Sequence, residues 1–167
     1  MTNDEQNQAP RRLAKDEIIP AFTLPGPDGM PHSPWDYKQR EHLLLLFVPS
    51  LADARARTWL SGFVEECRAF RDEMCAILAV TPDPVLKNLQ VQEELHLPFP
   101  LLADPQGSVI ARYTQWDSTT RTLLPGVVLA DRYNALYQQG FAQDEEARPS
   151  IPELLADLRY INTLCTP

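Results

Sequence analysis

Three short, continuous runs of apolar residues constrain the fold of this 167-residue chain more than any other feature. The runs cover residues 43–48, 75–80 and 127–130. A short apolar run of this kind is typical of a strand that is covered on both faces, as in the centre of a parallel or mixed sheet. The sequence therefore predicts a central sheet that is packed between two layers.

Helical patterns separate these predicted strands. Apolar side chains recur at spacings of three and four from Ala56 to Met74, which predicts one amphipathic helix. Further helices are predicted over residues 84–95, 107–113 and 151–164, and in the first of them the apolar residues expected to face the core are Val85, Leu86, Leu89 and Leu95. Strands that alternate with helices pair in parallel, and the strand–turn–strand pattern over 127–141 adds an antiparallel edge. The fold class is therefore α/β, with a mixed sheet that is flanked by helices.

The two ends of the chain and its composition complete this outline. Residues 1–15 are polar and aperiodic, which predicts a flexible N-terminal tail before one domain over 16–167. Asp28 and Gly29 predict a β-hairpin turn near the start of that domain. The net charge of −8 argues against nucleic-acid binding, and no apolar run approaches the ~20 residues of a membrane span. No targeting signal is visible, and free cysteines suit a reducing compartment, so a cytoplasmic location is expected.

Local motifs in the same order resemble the peroxiredoxin (alkyl hydroperoxide reductase/thiol-specific antioxidant) branch of the thioredoxin superfamily. The segments that carry the resemblance are IIPAFTLPGPDGMPHSPWDY, LLLLFVP, CAILAVTPDP, LPFPLLADPQGSVIARY, and GVVLAD followed by NALYQQG. Each segment is weak alone, but all of them occur in the family's order. The resemblance implies a thioredoxin-like fold with an N-terminal β-hairpin, and a thiol-based antioxidant oxidoreductase as the family role.

The position at which this family carries its nucleophile holds no cysteine. Peroxiredoxins attack a hydroperoxide with a cysteine thiolate, which becomes a sulfenic acid. The family motif is Pro-x-x-x-Thr-x-x-Cys. Its proline aligns with Pro49, its threonine with Asp53 and its cysteine with Ala56. Residues 49–66 contain no cysteine, so the Cys-x-x-Cys of thioredoxins is missing as well. We therefore predict no catalytic residue and a degenerate active-site loop.

Other residues border this predicted loop. Pro125 immediately precedes the third apolar run and resembles the cis proline of thioredoxins, so a cis Leu124–Pro125 bond is a hypothesis. Asp53 is expected to cap the following helix, because aspartate favours that position. Arg121 is the nearest candidate for a positive charge.

The three cysteines are widely spaced and form no metal-binding pair. Cys67 and Cys75 are interpreted as core residues, since cysteine is among the most buried residue types. A disulfide between them is not expected, because a helix interior and the following strand start rarely come close enough. Cys165 lies near the C-terminus and is the candidate redox thiol, although an accidental tail thiol is the simpler interpretation.

Three hypotheses about function follow. The first is a peroxiredoxin-like protein that has lost peroxidase activity and acts by binding or regulation. The second is an atypical thiol oxidoreductase that uses Cys165, and the third is a small-molecule binder in the remnant cleft near Asp53, Trp59 and Pro125. No cofactor and no metal are expected. A protein partner and a homodimer are compatible with the resemblance.

Overall fold

A computed structural model of the chain describes residues 11–164, and their central feature is a five-stranded mixed sheet. The strands are β1 (Leu24–Pro25), β2 (Pro31–His32), β3 (His42–Phe47), β4 (Cys75–Thr81), β5 (Leu101–Ala103), β6 (Trp116–Asp117), β7 (Thr122–Leu123), β8 (Gly126–Ala130) and β9 (Leu136–Phe141). The helices are α1 (Ala54–Glu65), α2 (Cys67–Asp72), α3 (Val85–Glu94), α4 (Ile110–Tyr113) and α5 (Ile151–Leu164).

The strand order in the large sheet is β5-β4-β3-β8-β9. Strand β3 pairs in parallel with β4 and antiparallel with β8, and β9 is antiparallel to β8. The three apolar runs of the sequence are therefore the three central strands. Every residue of β3 and β8 is buried, as expected for strands that are covered on both faces. The predicted mixed sheet and the N-terminal hairpin, in which β1 pairs with β2, are confirmed.

Two apolar clusters lie on opposite faces of this sheet, because successive side chains of a strand point to opposite sides. The first cluster joins alternate residues of β3, β4 and β8 to α1, α2, α3 and α5. The second joins the remaining strand residues to α4 and to the segment around β1. Helix α1, which begins just after β3, is held to the sheet by Trp59, Leu60 and Phe63. That packing fixes the position of its N-terminus.

Two details of the predicted helices are wrong. The single helix expected from Ala56 to Met74 is divided at Glu66 into α1 and α2, and Met74 lies outside both with a left-handed backbone. In α3 the apolar Leu86 is 79% exposed, whereas Asn88 is fully buried. The Asn88 Oδ1 accepts a hydrogen bond of 2.8 Å from the Thr81 hydroxyl, and this contact orients the helix.

The N-terminal segment of the described residues contacts strand β9. Residues 1–10 of the predicted tail lie outside the described residues. Within the described part, the Leu13 carbonyl accepts a hydrogen bond of 2.7 Å from Gln139, and the Lys15 ammonium lies 4.9 Å from the Tyr137 ring centroid. No helix within residues 11–164 is long and apolar enough to cross a membrane.

Candidate functional site

The four residues predicted to form the degenerate loop lie together in the structure. Pro49, Asp53, Ala56 and Pro125 all line one cavity of about 470 Å³. Pro49 lies in the loop between β3 and α1, Asp53 and Ala56 lie at the start of α1, and Pro125 precedes β8. Because β3 and β8 are neighbours in the sheet, the loops at their ends meet at one edge. Residues from three separate parts of the sequence therefore line one cavity.

The turn from β3 into α1 is held by two carboxylates. The Asp53 side chain accepts a hydrogen bond of 2.9 Å from the Arg55 backbone N–H, so the predicted N-cap is confirmed. The buried Asp83 accepts one of 2.8 Å from the Leu51 backbone N–H and lies 3.6 Å from the Lys87 ammonium. These contacts tie the turn to both α1 and the start of α3.

Ala56 is 4% exposed and belongs to the apolar cluster beneath α1. A methyl group therefore closes the cavity wall in the first turn of the helix. Such a side chain offers neither a proton nor a nucleophile to a molecule in the cavity.

The hypothesis of a cis Leu124–Pro125 bond is wrong, since residues 11–164 contain no cis peptide bond. A trans bond is the ordinary outcome, because it is favoured by about 0.5–1 kcal/mol before proline. In this conformation the Pro125 carbonyl accepts a hydrogen bond of 3.0 Å from the Ala142 N–H. That bond holds the chain after β9 beside the cavity.

Arg121, the predicted source of positive charge, forms its hydrogen bonds outside this cavity. Its guanidinium donates to the carbonyls of Pro82 and Pro105 at 3.0 and 2.9 Å, and it does not line the cavity. Arg148 lines the cavity instead, with its Cζ 4.5 Å from the centroid of the Trp59 ring. Burial lowers the pKa of Arg148, and Glu145 partly offsets that effect.

Arg148 was not among the residues predicted to form this site. No motif or spacing marks the contact between Arg148 and Trp59, which joins two distant parts of the chain. A larger cavity of about 1180 Å³ lies between α1 and the start of α5, and Trp59 and Arg148 line it as well. Its rim carries exposed carboxylates, those of Asp144, Glu145, Glu146 and Glu153.

The described thiols lie away from both cavities. Cys67 and Cys75 are free, and burial raises the pKa of each thiol. Cys75 is buried as predicted, whereas Cys67 is half-buried. Cys165, the candidate redox thiol, lies outside the described residues. Among residues 11–164, no group of three His, Cys, Asp or Glu side chains is arranged to hold a metal ion.

The side chains that line the two cavities are of several chemical kinds. Together the two cavities offer an indole face, two guanidinium groups, carboxylates and apolar walls. Such groups recognise a ligand by stacking, charge and shape. The residues that line either cavity include no cysteine.

Comparisons with known proteins identify the relatives of this chain. The model of the AhpC/TSA family matches residues 16–138. Two Mycobacterium tuberculosis proteins named "Putative peroxiredoxin", from strains CDC 1551 and H37Rv, are each 30% identical over 105 residues. The match covers 63% of this chain and 64% of each relative, so it spans less than two thirds of their length.

Solved structures show the same fold. The crystal structure of peroxidoxin BcpB from Mycobacterium tuberculosis superposes with a TM-score of 0.82 at 19% identity, covering 90% of this chain and 99% of that one. The mitochondrial 2-Cys peroxiredoxin of Plasmodium falciparum gives 0.77 at 16% identity, covering 90% and 95%. At these identities the likeness concerns the thioredoxin-like fold alone.

Proposed function

Because this chain belongs to the AhpC/TSA family, we propose that it is a peroxiredoxin-like protein that has lost peroxidase activity and acts by binding. Ala56 occupies the position of the family's nucleophile in this proposal. The observation that carries it is the methyl side chain of Ala56 in the wall of the cavity at the start of α1. A methyl group cannot ionise or accept an oxygen atom from a peroxide, so the usual thiolate mechanism has no starting point.

The cleft itself supports the binding role. The cavity of about 470 Å³ has the size of an ordinary ligand pocket, and the larger cavity of about 1180 Å³ adjoins it. The two share Thr58, Trp59, Asp144, Glu145 and Arg148, which combine a hydroxyl, an indole, two carboxylates and a guanidinium. A large aromatic side chain and an arginine are the residues that most often carry binding energy at interfaces.

The loss of activity is tested by peroxide consumption. The full chain is incubated with hydrogen peroxide, with and without a thiol reductant, beside the variant Cys165→Ser. We expect consumption no faster than that of a free cysteine in either protein. Rapid turnover that disappears in Cys165→Ser would replace this proposal with an oxidoreductase that uses Cys165. Rapid turnover that survives in that variant would also contradict it.

The binding role is tested by filling the cleft. Thr58→Trp places a large side chain at a position that lines both cavities, whereas Arg68→Trp adds the same bulk on α2, where it lines neither. The full chain and both variants are immobilised and exposed to an extract of the cells that make the protein. We expect a bound component that Thr58→Trp loses and Arg68→Trp keeps. Equal retention by all three proteins would contradict binding through this cleft.

A further inference from the structure

One segment crosses the edge of the cleft and is fixed at both ends. We call residues 142–149, which join β9 to α5, the strap. At its first residue, the Ala142 N–H donates to the Pro125 carbonyl at 3.0 Å. At its last residue, Pro149 packs so closely on Gly140 that a Cβ added there would lie 2.3 Å from the Pro149 Cδ. The ends of the strap are therefore anchored to the sheet.

The middle of the strap is attached differently. In the described part of the chain, the backbone hydrogen bonds of residues 143–148 stay within the strap, from Ala147 to Asp144 and from Arg148 to Glu145. The Arg148 side chain adds two more, donating to the carbonyls of Ala142 and Gln143 at 2.8 and 2.9 Å. These bonds make the strap a closed unit, but they do not join it to the helix across the cleft.

The stack of Arg148 on Trp59 makes that junction. The Arg148 Cζ lies 4.5 Å from the Trp59 ring centroid, within the range of a cation–π interaction. Trp59 is itself immobile, because it is 6% exposed and packs at right angles on Phe63 with 5.5 Å between the ring centroids. The half-buried Arg148 guanidinium therefore lies on a buried indole.

Arg148 and Trp59 also line both cavities, so their stack lies where the two spaces meet. We propose that Arg148 is a latch, which holds the strap against α1 and controls access to the cleft beside Ala56. When the guanidinium leaves Trp59, the strap rises and the two cavities join into one passage. This inference goes beyond the proposed function, because it concerns how the cleft opens and not what enters it.

The latch is tested by the accessibility of a reporter thiol. The reporter is Ala56→Cys, whose alkylation by iodoacetamide is followed at one pH by peptide mass spectrometry, so that other cysteines do not interfere. Adding Arg148→Ala is expected to accelerate alkylation about tenfold, which corresponds to ~1.4 kcal/mol. The loss of a nearby cation would by itself raise the pKa of the thiol and slow the reaction, so acceleration reports access.

A control variant distinguishes release of the latch from a general destabilisation of the fold. Arg159→Ala removes an arginine that pairs with Glu73 at 3.4 Å and lines neither cavity. We expect it to leave the alkylation rate of the reporter within about twofold, as for other surface changes. Equal acceleration by Arg159→Ala and Arg148→Ala would overturn the latch, and so would no acceleration by Arg148→Ala.

Added guanidinium ion gives a second measurement. At concentrations far below those that unfold proteins, it is expected to occupy the place vacated in Arg148→Ala and to slow alkylation again, whereas sodium chloride at equal ionic strength is not. If added guanidinium does not reverse the acceleration, the latch is overturned in favour of a packing role for Arg148.

Should Arg148→Ala fail to fold, Arg148→Lys takes its place. It keeps the charge but lacks the planar fork, and it is expected to accelerate alkylation less. An unchanged rate in that variant would then overturn the latch.

Discussion

Introducing a cysteine at the start of α1 is not expected to create a reactive thiolate. Ala56→Cys places a thiol in the first turn of the helix, where the peptide dipoles favour negative charge. That effect is worth about 0.3–1 kcal/mol, which lowers a pKa by roughly 0.2–0.7 unit. From the ordinary thiol value of about 8.5, the helix alone would leave the thiol mostly protonated at neutral pH.

Two features of the cavity would instead raise the pKa of the introduced thiol. Ala56 is 4% exposed, and at the similarly buried Cys75 desolvation raises the pKa of the thiol strongly. The carboxylates that line the cavity also outnumber the guanidinium groups, with Asp53, Asp144 and Glu145 against Arg55 and Arg148. The pKa of the introduced thiol is therefore expected at or above about 8.5, which leaves at most a few per cent of thiolate at pH 7.

The assay is the alkylation rate of the introduced thiol against pH, beside its rate of oxidation by hydrogen peroxide. We expect both to match a free cysteine or to fall below it. The matched variant Ala56→Cys with Asp53→Thr removes one carboxylate but keeps a residue that can cap α1, so the pKa of the thiol should fall. A pKa below 7 in Ala56→Cys alone would refute the electrostatic reasoning.

Four further outcomes are expected. Asp53→Ala should lower the free energy of unfolding by about 1 kcal/mol, because the Arg55 N–H loses its acceptor. Asp53→Asn keeps an acceptor at this position, so it should retain most of that stability in the same denaturant titration. Phe63→Ala should cost about 3–5 kcal/mol, since the ring is buried between Trp59 and Phe70, whereas Leu86→Ala at an exposed site should change the midpoint little. Gly107→Ala should lower the melting temperature more than Gly29→Ala: both have a positive φ, but a Cβ at Gly107 would lie 2.0 Å from Trp116 and at Gly29 it would meet open space. Burial raises the pKa of the Cys67 thiol, so at pH 7 its alkylation should be slower than that of a free cysteine, and Arg71→Gln should slow it further; a faster reaction would contradict the burial argument.

The sheet could be predicted from the sequence because its strands are encoded locally. A run such as residues 43–48 has no polar side that could face water, so it can lie only between two layers. The Asp53 cap was predictable for the same reason, since an aspartate before a helix acts on the next backbone N–H groups. The contact between the Asp83 carboxylate and the Leu51 N–H carries no such signal, because it joins two loops that meet only after β3 and β4 have paired.

Helix faces were predicted less well where a polar contact overrides apolar spacing. In α3 the pattern favoured burying Leu86, but the Thr81 hydroxyl bonds to the Asn88 side chain and turns that residue inward. Leu86 is left exposed as a consequence. The hydrogen bond satisfies the buried Asn88 Oδ1, and an acceptor left unpaired in the interior would cost about 1–3 kcal/mol.

The placement of positive charge determines how a thiolate at position 56 would be stabilised. Stabilising a thiolate at Ala56 would take a guanidinium aimed at the first turn of α1. Arg121 instead holds the carbonyls of Pro82 and Pro105, and Arg148 lies on Trp59 with its donors bound to the carbonyls of its own strap. The hydrogen bonds of Arg121 and Arg148 thus go to backbone carbonyls around the cleft. We therefore expect a thiol at position 56 to gain little stabilisation of its thiolate from these two guanidinium groups.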